Sequence, residues 1–527
     1  MTKKDIFLSL LSGFLLIFSF PKFDLELLAW VALVPLFLAI KDKGRRESFL
    51  LSFLTGGVFF AGLLYWIATV TIYNRLVISG LLILVLYLSL YFGLFGLLAS
   101  RRKSGTTFNF QLSTFNYLYL PSLWVSLELL RSYLFSGFPW GLLGYSQYLN
   151  LPLIQISSFT GVYGISFLIV LVNVVVADCF SGRDLRLRLR VSGYGLLIAG
   201  LLVGASLLYG KKVLAKDIKG KSLKVAIVQG NILQGEKWDY GRQEEFAGIY
   251  SDLSQEASLK GPALIVWPET SIPGYLPEDR YLFDTLVNLS KESGAYILMG
   301  GTRRLAPLKG NSPLKQVDED EREYFNSAFL FSPRGIETTY DKIHLVPFGE
   351  FVPWGRFFPF WARAILPEGG FEAGKRHTIF KIPQGQFTVL ICYEIIFPDL
   401  VRRSVEGGAN FIVNITNDAW FGKTAGPYQH AAMATFRAVE NRRSLVRAAN
   451  TGISLFIDPF GRREILKVKN QSIFVRGTLT KEIVLVQGNT LYTRYGDVFA
   501  YFSLILALTG IGFNLIKMRL KQKKASV

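Results

Sequence analysis

Eight apolar runs alternate with short charged segments in the first 210 residues and near the C-terminus. They lie at about 6–20, 27–40, 49–72, 77–99, 115–135, 156–179, 192–210 and 496–516. A membrane-spanning helix needs ~20 mostly apolar residues, so the pattern predicts seven transmembrane helices in 1–210 and an eighth in 491–527, before a basic tail. The first run follows Lys3 and Lys4, but Phe20-Pro21-Lys22 is a poor cleavage site, which favours a membrane anchor over a signal peptide.

The segment between the seventh and eighth runs has a different periodicity. From Lys224 onward, short β-type runs alternate with amphipathic helical patterns. The predicted strands are Val225–Gln229, Ala263–Val266, Ala295–Met299, Ser327–Phe331, Thr388–Cys392, Phe411–Asn414, Ser454–Asp458 and Ile473–Gly477. The predicted helices are Arg242–Leu259, Leu282–Ser293 and Ala431–Arg443. This alternation predicts an α/β sandwich domain over 224–490, joined to the helices by a lysine-rich linker at 211–223.

The basic residues fall on one side of the predicted membrane helices. If the N-terminus is cytoplasmic, the cytoplasmic segments contain eighteen of them: Lys3, Lys4, Lys41, Lys43, Arg45, Arg46, Arg101, Arg102, Lys103, Arg183, Arg186, Arg188, Arg190, Lys517, Arg519, Lys521, Lys523 and Lys524. The short outer loops contain two, Lys22 and Arg75. This positive-inside asymmetry predicts cytoplasmic termini and an outer location for 211–495. It also explains most of the net charge of +19, which therefore does not indicate nucleic-acid binding.

Composition favours a membrane protein and argues against several kinds of site. Of the 527 residues, 50% are hydrophobic and 18% are charged, which is too apolar for a soluble protein of this size. The two cysteines, Cys179 and Cys392, do not make a disulfide framework. The three histidines (His344, His377 and His430) lack metal-ligand spacing. We therefore expect no zinc site, Ser-His-Asp triad, GxSxG motif or P-loop, and neither a metal nor a cofactor.

Two charged residues stand at strand ends in the predicted outer domain. Glu269 ends the apolar strand Val266-Trp267-Pro268-Glu269-Thr270, where a carboxylate is either simply solvated or a general base that Trp267 desolvates. Lys342 lies among apolar and aromatic residues, with Glu350 eight residues later as a partner. A lone lysine is usually a surface charge, but a lysine beside a reacting carbonyl can stabilise an oxyanion.

The third reactive side chain is Cys392, in Val389-Leu390-Ile391-Cys392-Tyr393-Glu394. A buried cysteine at a strand end is normally just a small apolar residue. Here a strand gives way to a loop, which suits an exposed nucleophile. Cys179, at the inner end of a predicted span, cannot pair with it in an oxidising compartment. Glu394 would also be an unusual neighbour for a purely structural thiol.

Glu269, Lys342 and Cys392, in this order and each at or after a strand, resemble the Glu-Lys-Cys triad of the nitrilase (carbon-nitrogen hydrolase) superfamily. The resemblance covers about 224–485 and implies a four-layer α-β-β-α sandwich. It implies that Glu269 is the base, Cys392 the nucleophile and Lys342 the oxyanion stabiliser, helped by the backbone N–H of Tyr393. The expected supporting residues are Glu350, Tyr393 and Glu394.

Nearly the whole chain resembles the apolipoprotein N-acyltransferase family, in which eight spans accompany such a domain. The motifs that carry this resemblance are Val228-Gln229-Gly230-Asn231, Lys237-Trp238-Asp239, Lys342 to Glu350, Cys392-Tyr393-Glu394, Asn417-Asp418-Ala419-Trp420-Phe421, Gly137-Phe138-Pro139-Trp140 and Gly144-Tyr145-Ser146-Gln147. The resemblance implies a bacterial inner-membrane enzyme with its catalytic domain on the periplasmic face.

The family resemblance also implies a two-stage reaction, the last step of lipoprotein maturation. Cys392 would attack the sn-1 ester of a phospholipid, typically phosphatidylethanolamine, and form a thioester. The α-amine of a diacylglyceryl-cysteine at an apolipoprotein N-terminus would then accept the acyl chain. The implied partners are thus the phospholipid donor, the diacylglyceryl-modified apolipoproteins and the membrane, with no nucleic acid.

Two other functions fit parts of the pattern. A membrane-tethered amidase or lipid hydrolase of the same superfamily would use water as the acceptor, although a tether needs only one span. A non-catalytic lipoprotein receptor would keep the fold, but binding alone would not require all three residue types of the triad.

An aromatic segment, Phe351–Leu366, follows the lysine motif. Its aromatic residues are Phe351, Trp354, Phe357, Phe358, Phe360 and Trp361, and it also contains Pro353 and Pro359. Because proline disfavours regular elements, we predict a loop over the site that enters the headgroup region, where aromatic residues are favoured. A plain folded loop is the alternative. Trp238, Tyr393 and Trp420 are predicted to line the substrate site, although each could be ordinary core.

Glu128 and Arg131 lie three residues apart in the fifth predicted span. An ionisable residue inside a membrane is a functional candidate by default. A structural ion pair is the alternative, and neither residue is assigned to the catalytic set.

Overall fold

The computed structural model describes residues 1–72, 76–100, 110–180, 185–305, 323–355, 357, 360, 365–366 and 370–525. The chain forms two compact units, Met1–Lys216 with Tyr495–Val527, and Asp217–Arg494. Several residues named above lie outside the described ones: Arg75, Arg101, Arg102, Lys103, Arg183, Phe358, Pro359 and Trp361.

The first unit is helical. Its helices are α1 (Lys3–Phe18), α2 (Val34–Ile40), α3 (Arg45–Leu63), α4 (Val77–Ala99), α5 (Phe110–Tyr133), α6 (Leu151–Ile154), α7 (Ser157–Thr160), α8 (Val162–Cys179) and α9 (Leu185–Leu214). Near the C-terminus, α14 (Leu491–Tyr495) belongs to the second unit up to Arg494, and α15 (Val498–Ala525) belongs to the first. Among the described residues, three stretches are long and apolar enough to cross a membrane: Val77–Ala99, Val162–Cys179 and Gly193–Leu214. Shorter apolar helices are Glu26–Ile40, Leu151–Thr160 and Val498–Phe513. The unit therefore contains apolar helices that are long enough to span a membrane, and the total of eight spans stays a prediction.

The second predicted span, 27–40, is not one continuous helix. A 3-10 helix over Glu26–Trp30 and a turn precede α2, which has seven residues and extends only about 10 Å. Asn173 of α8 satisfies the backbone groups that this break leaves without partners. Its amide donates to Ala29 O at 2.8 Å and its Oδ1 accepts from Leu33 N–H at 2.8 Å. The periodicity of an apolar run does not reveal such a break, because a distant side chain compensates for it.

Glu128 and Arg131, both buried on α5, bind the backbone of the segment that follows this helix. Arg131 donates to Phe138 O at 3.1 Å and to Trp140 O at 2.6 Å. Glu128 Oε1 accepts from Leu143 N–H at 2.7 Å. In the described part of the chain, the two side chains are not joined by an ion pair. Their contacts fix the path of the chain between α5 and α6.

The described residues of the second unit form two β-sheets between layers of helices. The strands are β1 (Lys221–Gln229), β2 (Leu264–Val266), β3 (Tyr275–Leu276), β4 (Tyr296–Leu305), β5 (Glu323–Ser332), β6 (Gly335–Asp341), β7 (Ile379–Ile382), β8 (Gly385–Ile391), β9 (Phe411–Thr416), β10 (Ser444–Ala449), β11 (Leu455–Ile457), β12 (Arg463–Ile465) and β13 (Gly477–Leu485). The helices are α10 (Gln243–Ser258), α11 (Arg280–Ser293), α12 (Pro398–Glu406) and α13 (Gly426–Asn441). The linker between α9 and β1 is therefore 215–220, shorter than the predicted 211–223.

The two sheets are mixed. Their strand orders are β13-β1-β2-β4-β5-β6, with β3 beside β4, and β12-β11-β10-β9-β8-β7. Strands β1, β2 and β4 are parallel, as are β8, β9 and β10, whereas the other pairings along these orders are antiparallel. Parallel strands bring their carboxyl ends to one edge of a sheet. Residues that directly follow β2, β8 and β9 are therefore brought to common edges.

The apolar core lies between the two sheets. The inward side chains include Val225 and Ile227 of β1 and Val389 and Ile391 of β8. Three stacked rings continue it, with centroid distances of 5.2 Å between Phe380 and Phe387 and 4.9 Å between Phe387 and Phe411. The outer face of the first sheet packs against α10 and α11. Because both faces of these strands are buried, they read as continuous apolar runs in the sequence.

The last predicted strand, Ile473–Gly477, is wrong. Phe474 has a φ of 54°, and β13 starts only at Gly477 and pairs antiparallel with β1 over its whole length. The strand was missed because Lys481 and Glu482, on opposite faces, interrupt its apolar pattern. The sequence prediction also lacked β3, β6, β7, β10, β12 and α12.

Phe387→Ala should strongly destabilise the second unit. Removing the middle ring of the stack leaves a cavity in the inter-sheet core, which typically costs about 3–5 kcal/mol. Thermal unfolding of the purified protein should show a fall of several degrees in melting temperature. Leu259→Ala is the control, since this leucine is 87% exposed. Equal melting temperatures for the two variants would contradict the assignment of this core.

Candidate active site

The candidate nucleophile stands on a sharp turn between a strand and a helix. β8 ends at Ile391, and Cys392 begins a 3-10 helix that runs to Ile396. Cys392 has a φ of 52° and is half-buried. This left-handed conformation costs a non-glycine residue of order 1–3 kcal/mol, and such positions cluster at functional sites. Tyr393, the next residue, has a backbone N–H at the helix N-terminus, where the helix supplies no acceptor.

Glu394 fixes this turn to the loop that carries Lys342. The carboxylate is fully buried and accepts hydrogen bonds of 2.7–3.1 Å from the Tyr340 hydroxyl and from the backbone N–H groups of Ile343, His344 and Ile391. Burial raises the pKa of Glu394 in spite of these donors. Glu394 thus joins two separate loops into one rigid arrangement, and it does so through main-chain contacts.

The Lys342 ammonium lies between two carboxylates. Its Nζ is 2.8 Å from Glu350 Oε1 and 3.6 Å from Glu269 Oε1, and its side chain is 1% exposed. Burial alone would lower the pKa of Lys342, but the charges of Glu350 and Glu269 outweigh it and raise the pKa well above its ordinary value. Lys342 therefore stays protonated at any physiological pH.

Glu269 is a buried carboxylate with a donor on each oxygen. Oε1 accepts from Asn326 Nδ2 and Oε2 from the Asn417 backbone N–H, both at 2.8 Å. Burial would raise the pKa of Glu269, but the nearby ammonium groups of Lys342 and Lys237 lower it below the ordinary value. Glu269 is thus ionised at neutral pH and able to accept a proton.

The Cys392 thiol lies close enough to Glu269 for the charge of the carboxylate to affect the pKa of the thiol. Burial, followed by the negative charge of Glu269, raises the pKa of Cys392, and the positive charge of Lys342 offsets this only in part. The thiol is therefore protonated at neutral pH. A protonated thiol beside an ionised carboxylate can lose its proton as the sulfur attacks an electrophile.

Two residues of this cluster were not predicted as site residues. Asn326 Nδ2 donates to Glu269 Oε1 at 2.8 Å and to Glu350 Oε1 at 2.9 Å, so one amide orients both carboxylates. Lys237 Nζ is buried and donates to the main-chain carbonyl of Glu269 at 2.8 Å, and burial lowers the pKa of Lys237 to about 8. In the sequence, the only sign of Asn326 is that it is a polar residue in an apolar strand. Lys237 is noticeable only as part of the motif Lys237-Trp238-Asp239.

The structure brings the three predicted catalytic residues together with Glu350 and Glu394. The predicted substrate residues differ in exposure: Trp238 is 45% exposed, Trp354 63% and Phe357 79%, whereas Phe351 and Trp420 are half-buried. Tyr393 packs its ring edge-on against Phe397, with the ring centroids 5.1 Å apart.

Among the described residues, no group of three or more His, Cys, Asp or Glu side chains could hold a metal ion.

Two family models match the chain. Residues 12–175 match the apolipoprotein N-acyltransferase N-terminal domain, and residues 224–487 match carbon-nitrogen hydrolase. The apolipoprotein N-acyltransferase of Geobacter metallireducens is 42% identical over 95% of this chain and 93% of that protein. The one from Pasteurella multocida is 32% identical over 98% of both chains. A solved amidase of the nitrilase superfamily from Nesterenkonia aligns with 18% identity and a TM-score of 0.38, over 54% of this chain and 98% of that one.

These matches cover both units. The second unit therefore has the nitrilase-superfamily fold, and the first matches the N-terminal domain of the apolipoprotein N-acyltransferases. The chain belongs to the apolipoprotein N-acyltransferase family, the acyltransferases of lipoprotein maturation.

Proposed function

We propose that this protein transfers a fatty acyl chain from the sn-1 position of a membrane phospholipid to the α-amine of the N-terminal S-diacylglyceryl-cysteine of apolipoproteins. The acyl chain travels as a thioester on Cys392. The observation that carries this proposal is the buried cluster of a thiol, an ionised carboxylate and an ammonium group, in a chain similar to N-acyltransferases over nearly its full length.

In the first stage, Cys392 Sγ attacks the carbonyl carbon of the phospholipid ester while Glu269 takes the thiol proton. The negative charge then moves to the carbonyl oxygen of the tetrahedral intermediate. The Lys342 ammonium and the backbone N–H of Tyr393 stabilise this oxyanion. The intermediate collapses with loss of the lysophospholipid alkoxide, which takes the proton from Glu269. One difficult exchange is thereby divided into two easier ones.

In the second stage, the α-amine of the acceptor attacks the thioester carbonyl. Glu269 takes a proton from the attacking nitrogen, and the same two donors stabilise the second oxyanion. The C–S bond breaks, an amide is formed, and the thiolate of Cys392 regains its proton. Glu350 and Asn326 support both stages because they orient Lys342 and Glu269.

The exposed aromatic residues are proposed to contact the lipid substrates. Trp354 has a φ of 57° and, with Phe357, presents most of its side chain at the surface. Large aromatic side chains favour the interface between headgroups and acyl chains. Trp238, Phe351 and Trp420 complete the proposed set.

The proposed location is the bacterial inner membrane, crossed eight times. Both termini would be cytoplasmic and the domain at 224–490 would lie on the periplasmic face. The distribution of lysine and arginine supports this topology, as do the apolar helices of the first unit. Water as acceptor, in an amidase or lipid hydrolase, is the competing function.

An acyltransferase and a hydrolase differ in whether loss of the acyl group from Cys392 requires an amine acceptor. The wild-type protein incubated with phosphatidylethanolamine vesicles should carry one acyl group on Cys392, which intact-mass spectrometry detects. This thioester should persist in phospholipid alone and disappear when a diacylated lipopeptide with a free N-terminal amine is added, because the amine is the acceptor.

The matched controls are Cys392→Ala, which should carry no acyl group, and the same lipopeptide with an acetylated amine, which should leave the thioester intact. If the thioester decays at the same rate with and without the free amine, and fatty acid is released, the protein is a lipid hydrolase.

Two adjacent glycines of β4 test whether the position of Glu269 matters. A Cβ at Gly300 would lie 2.6 Å from Glu269 Cα and 2.7 Å from Thr270 N, whereas a Cβ at Gly301 would approach the nearest atom, in Phe329, only to 3.4 Å. Gly300→Ala should therefore displace Glu269 and slow acylation of Cys392, by about 100-fold for a shift of ~1 Å. Gly301→Ala should stay near the wild-type rate. Equal rates in a single-turnover assay would exclude this role of Glu269.

Topology is testable because the chain has two cysteines, both replaceable by alanine. In that background, Leu259→Cys should react with an impermeant maleimide in spheroplasts, since this residue is 87% exposed and lies in the proposed periplasmic domain. Lys41→Cys, in a proposed cytoplasmic segment, should react only after permeabilisation. The reverse order of labelling would overturn the proposed orientation.

A further inference from the structure

A second buried polar cluster lies in the same unit as the triad but outside it. We name it the His430 cluster: Asn414, Thr416, Asp418, His430 and Arg447, all fully buried. They come from four elements, namely β9, the 3-10 helix that follows it, α13 and β10. Burying two full charges and an imidazole is costly unless each is paired. The proposed reaction uses none of these side chains.

The cluster binds the main chain of the nucleophile. His430 Nε2 lies 3.2 Å from the carbonyl oxygen of Cys392. Asn414 Nδ2 lies 3.5 Å from the same oxygen and donates to Leu390 O at 2.9 Å. A carbonyl oxygen only accepts, so the ring proton of His430 is on Nε2 and points to Cys392.

Arg447 determines the protonation of the other ring nitrogen. Its NH2 group is 2.9 Å from His430 Nδ1 and 2.8 Å from Asp418 Oδ2. A guanidinium only donates, so in the neutral ring whose proton is on Nε2, Nδ1 is the acceptor of this bond. Asp418 Oδ1 lies 3.0 Å from Nδ1 and also accepts from the Thr416 hydroxyl at 2.9 Å.

The electrostatics agree with a neutral ring. Burial, and then the positive charge of Arg447, lowers the pKa of His430. Burial would raise the pKa of Asp418, but the charge of Arg447 outweighs it and lowers the pKa to about 2. Asp418 and Arg447 are therefore an ion pair, beside which the imidazole is neutral.

The carbonyl of Cys392 belongs to a strained peptide. With a φ of 52°, the residue would relax toward the ordinary negative region if nothing fixed its carbonyl, and the Cβ–Sγ bond would turn with it. The cluster contacts the main chain of this residue through its carbonyl oxygen.

We propose that His430 is a positioning residue. As the neutral Nε2–H tautomer, oriented by Arg447 and Asp418, it holds the carbonyl of Cys392 so that the thiol stays directed at Glu269. The inference rests on the proposed role of Cys392 as nucleophile. It is a role in geometry: His430 exchanges no proton with either substrate.

Two amide substitutions separate this role from a purely structural one. The side-chain nitrogen of glutamine can occupy the place of Nε2 and donate to Cys392 O, whereas the shorter asparagine reaches only to the place of Nδ1. His430→Gln should retain acylation of Cys392 from phosphatidylethanolamine vesicles within about threefold of the wild type. His430→Asn should lower the single-turnover rate on the order of 10-fold or more, since it removes the closer of the two donors to a buried carbonyl.

The apparent KM for phospholipid should be unchanged in both amide variants, because the lipid is bound elsewhere. Thr435→Val serves as the control, since this buried threonine of α13 donates within its own helix, to Ala431 O. It should acylate at the wild-type rate. Equal loss in the Gln and Asn variants, full activity in both, or failure of His430→Gln to fold would overturn the proposal.

The tautomer itself can be observed in the wild-type protein. The chain has three histidines, so ¹⁵N-histidine spectra have few ring signals, and His344→Gln and His377→Gln assign the third. The His430 ring should show the neutral Nε2–H signature near neutral pH, and an imidazolium or an Nδ1–H ring would overturn the inference. An inactive wild type that shows the expected tautomer would instead refute the proposed function.

Discussion

The buried positive charge of Lys342 is the constraint on which most of the site depends. Its ammonium group lies near two carboxylates, which compensate this charge. Taking one partner from a buried ion pair typically costs about 3–5 kcal/mol, so Glu269 and Glu350 both have to be held in place. The side-chain amide of Asn326 holds both carboxylates in place, because it donates a hydrogen bond to each of them. In the proposed reaction, the negative charge leaves Glu269 when it takes the thiol proton and reappears on the oxyanion. Lys342 therefore remains paired in the intermediate as well as at rest.

The second requirement is that residues far apart in the sequence keep a fixed distance. Cys392 follows a strand of one sheet, whereas Glu269 and Lys342 follow strands of the other. Glu394 links the two sides because its carboxylate binds main-chain N–H groups of both loops. Such bonds do not depend on flexible side chains on the partner loops, which explains why a fully buried carboxylate stands two residues after the nucleophile.

Glu269 and Cys392 could be predicted from the sequence because each interrupts a continuous apolar run at a strand end, whereas Lys342 could be predicted from the apolar and aromatic residues around it. The residues that support the triad could not be predicted from the sequence, and the reason differs from one residue to the next. Strand β10 was missed because Arg447 breaks its apolar pattern, and only the structure reveals Asp418 as the partner that allows this arginine to be buried. Asn326 is one polar residue in an apolar strand, and nothing local shows which distant carboxylates it meets. The break at 27–33 has the same origin, since Asn173 compensates for it from a distant helix.

The left-handed backbone of Cys392 has a consequence for how this sequence can change. Glycine adopts such a φ at little cost, so the fold on its own would gain from losing the sulfur. Selection for stability and selection for chemistry therefore oppose each other at this single position. A lineage that no longer needed the reaction would have a thermodynamic reason to discard its nucleophile early, while the surrounding sandwich persisted.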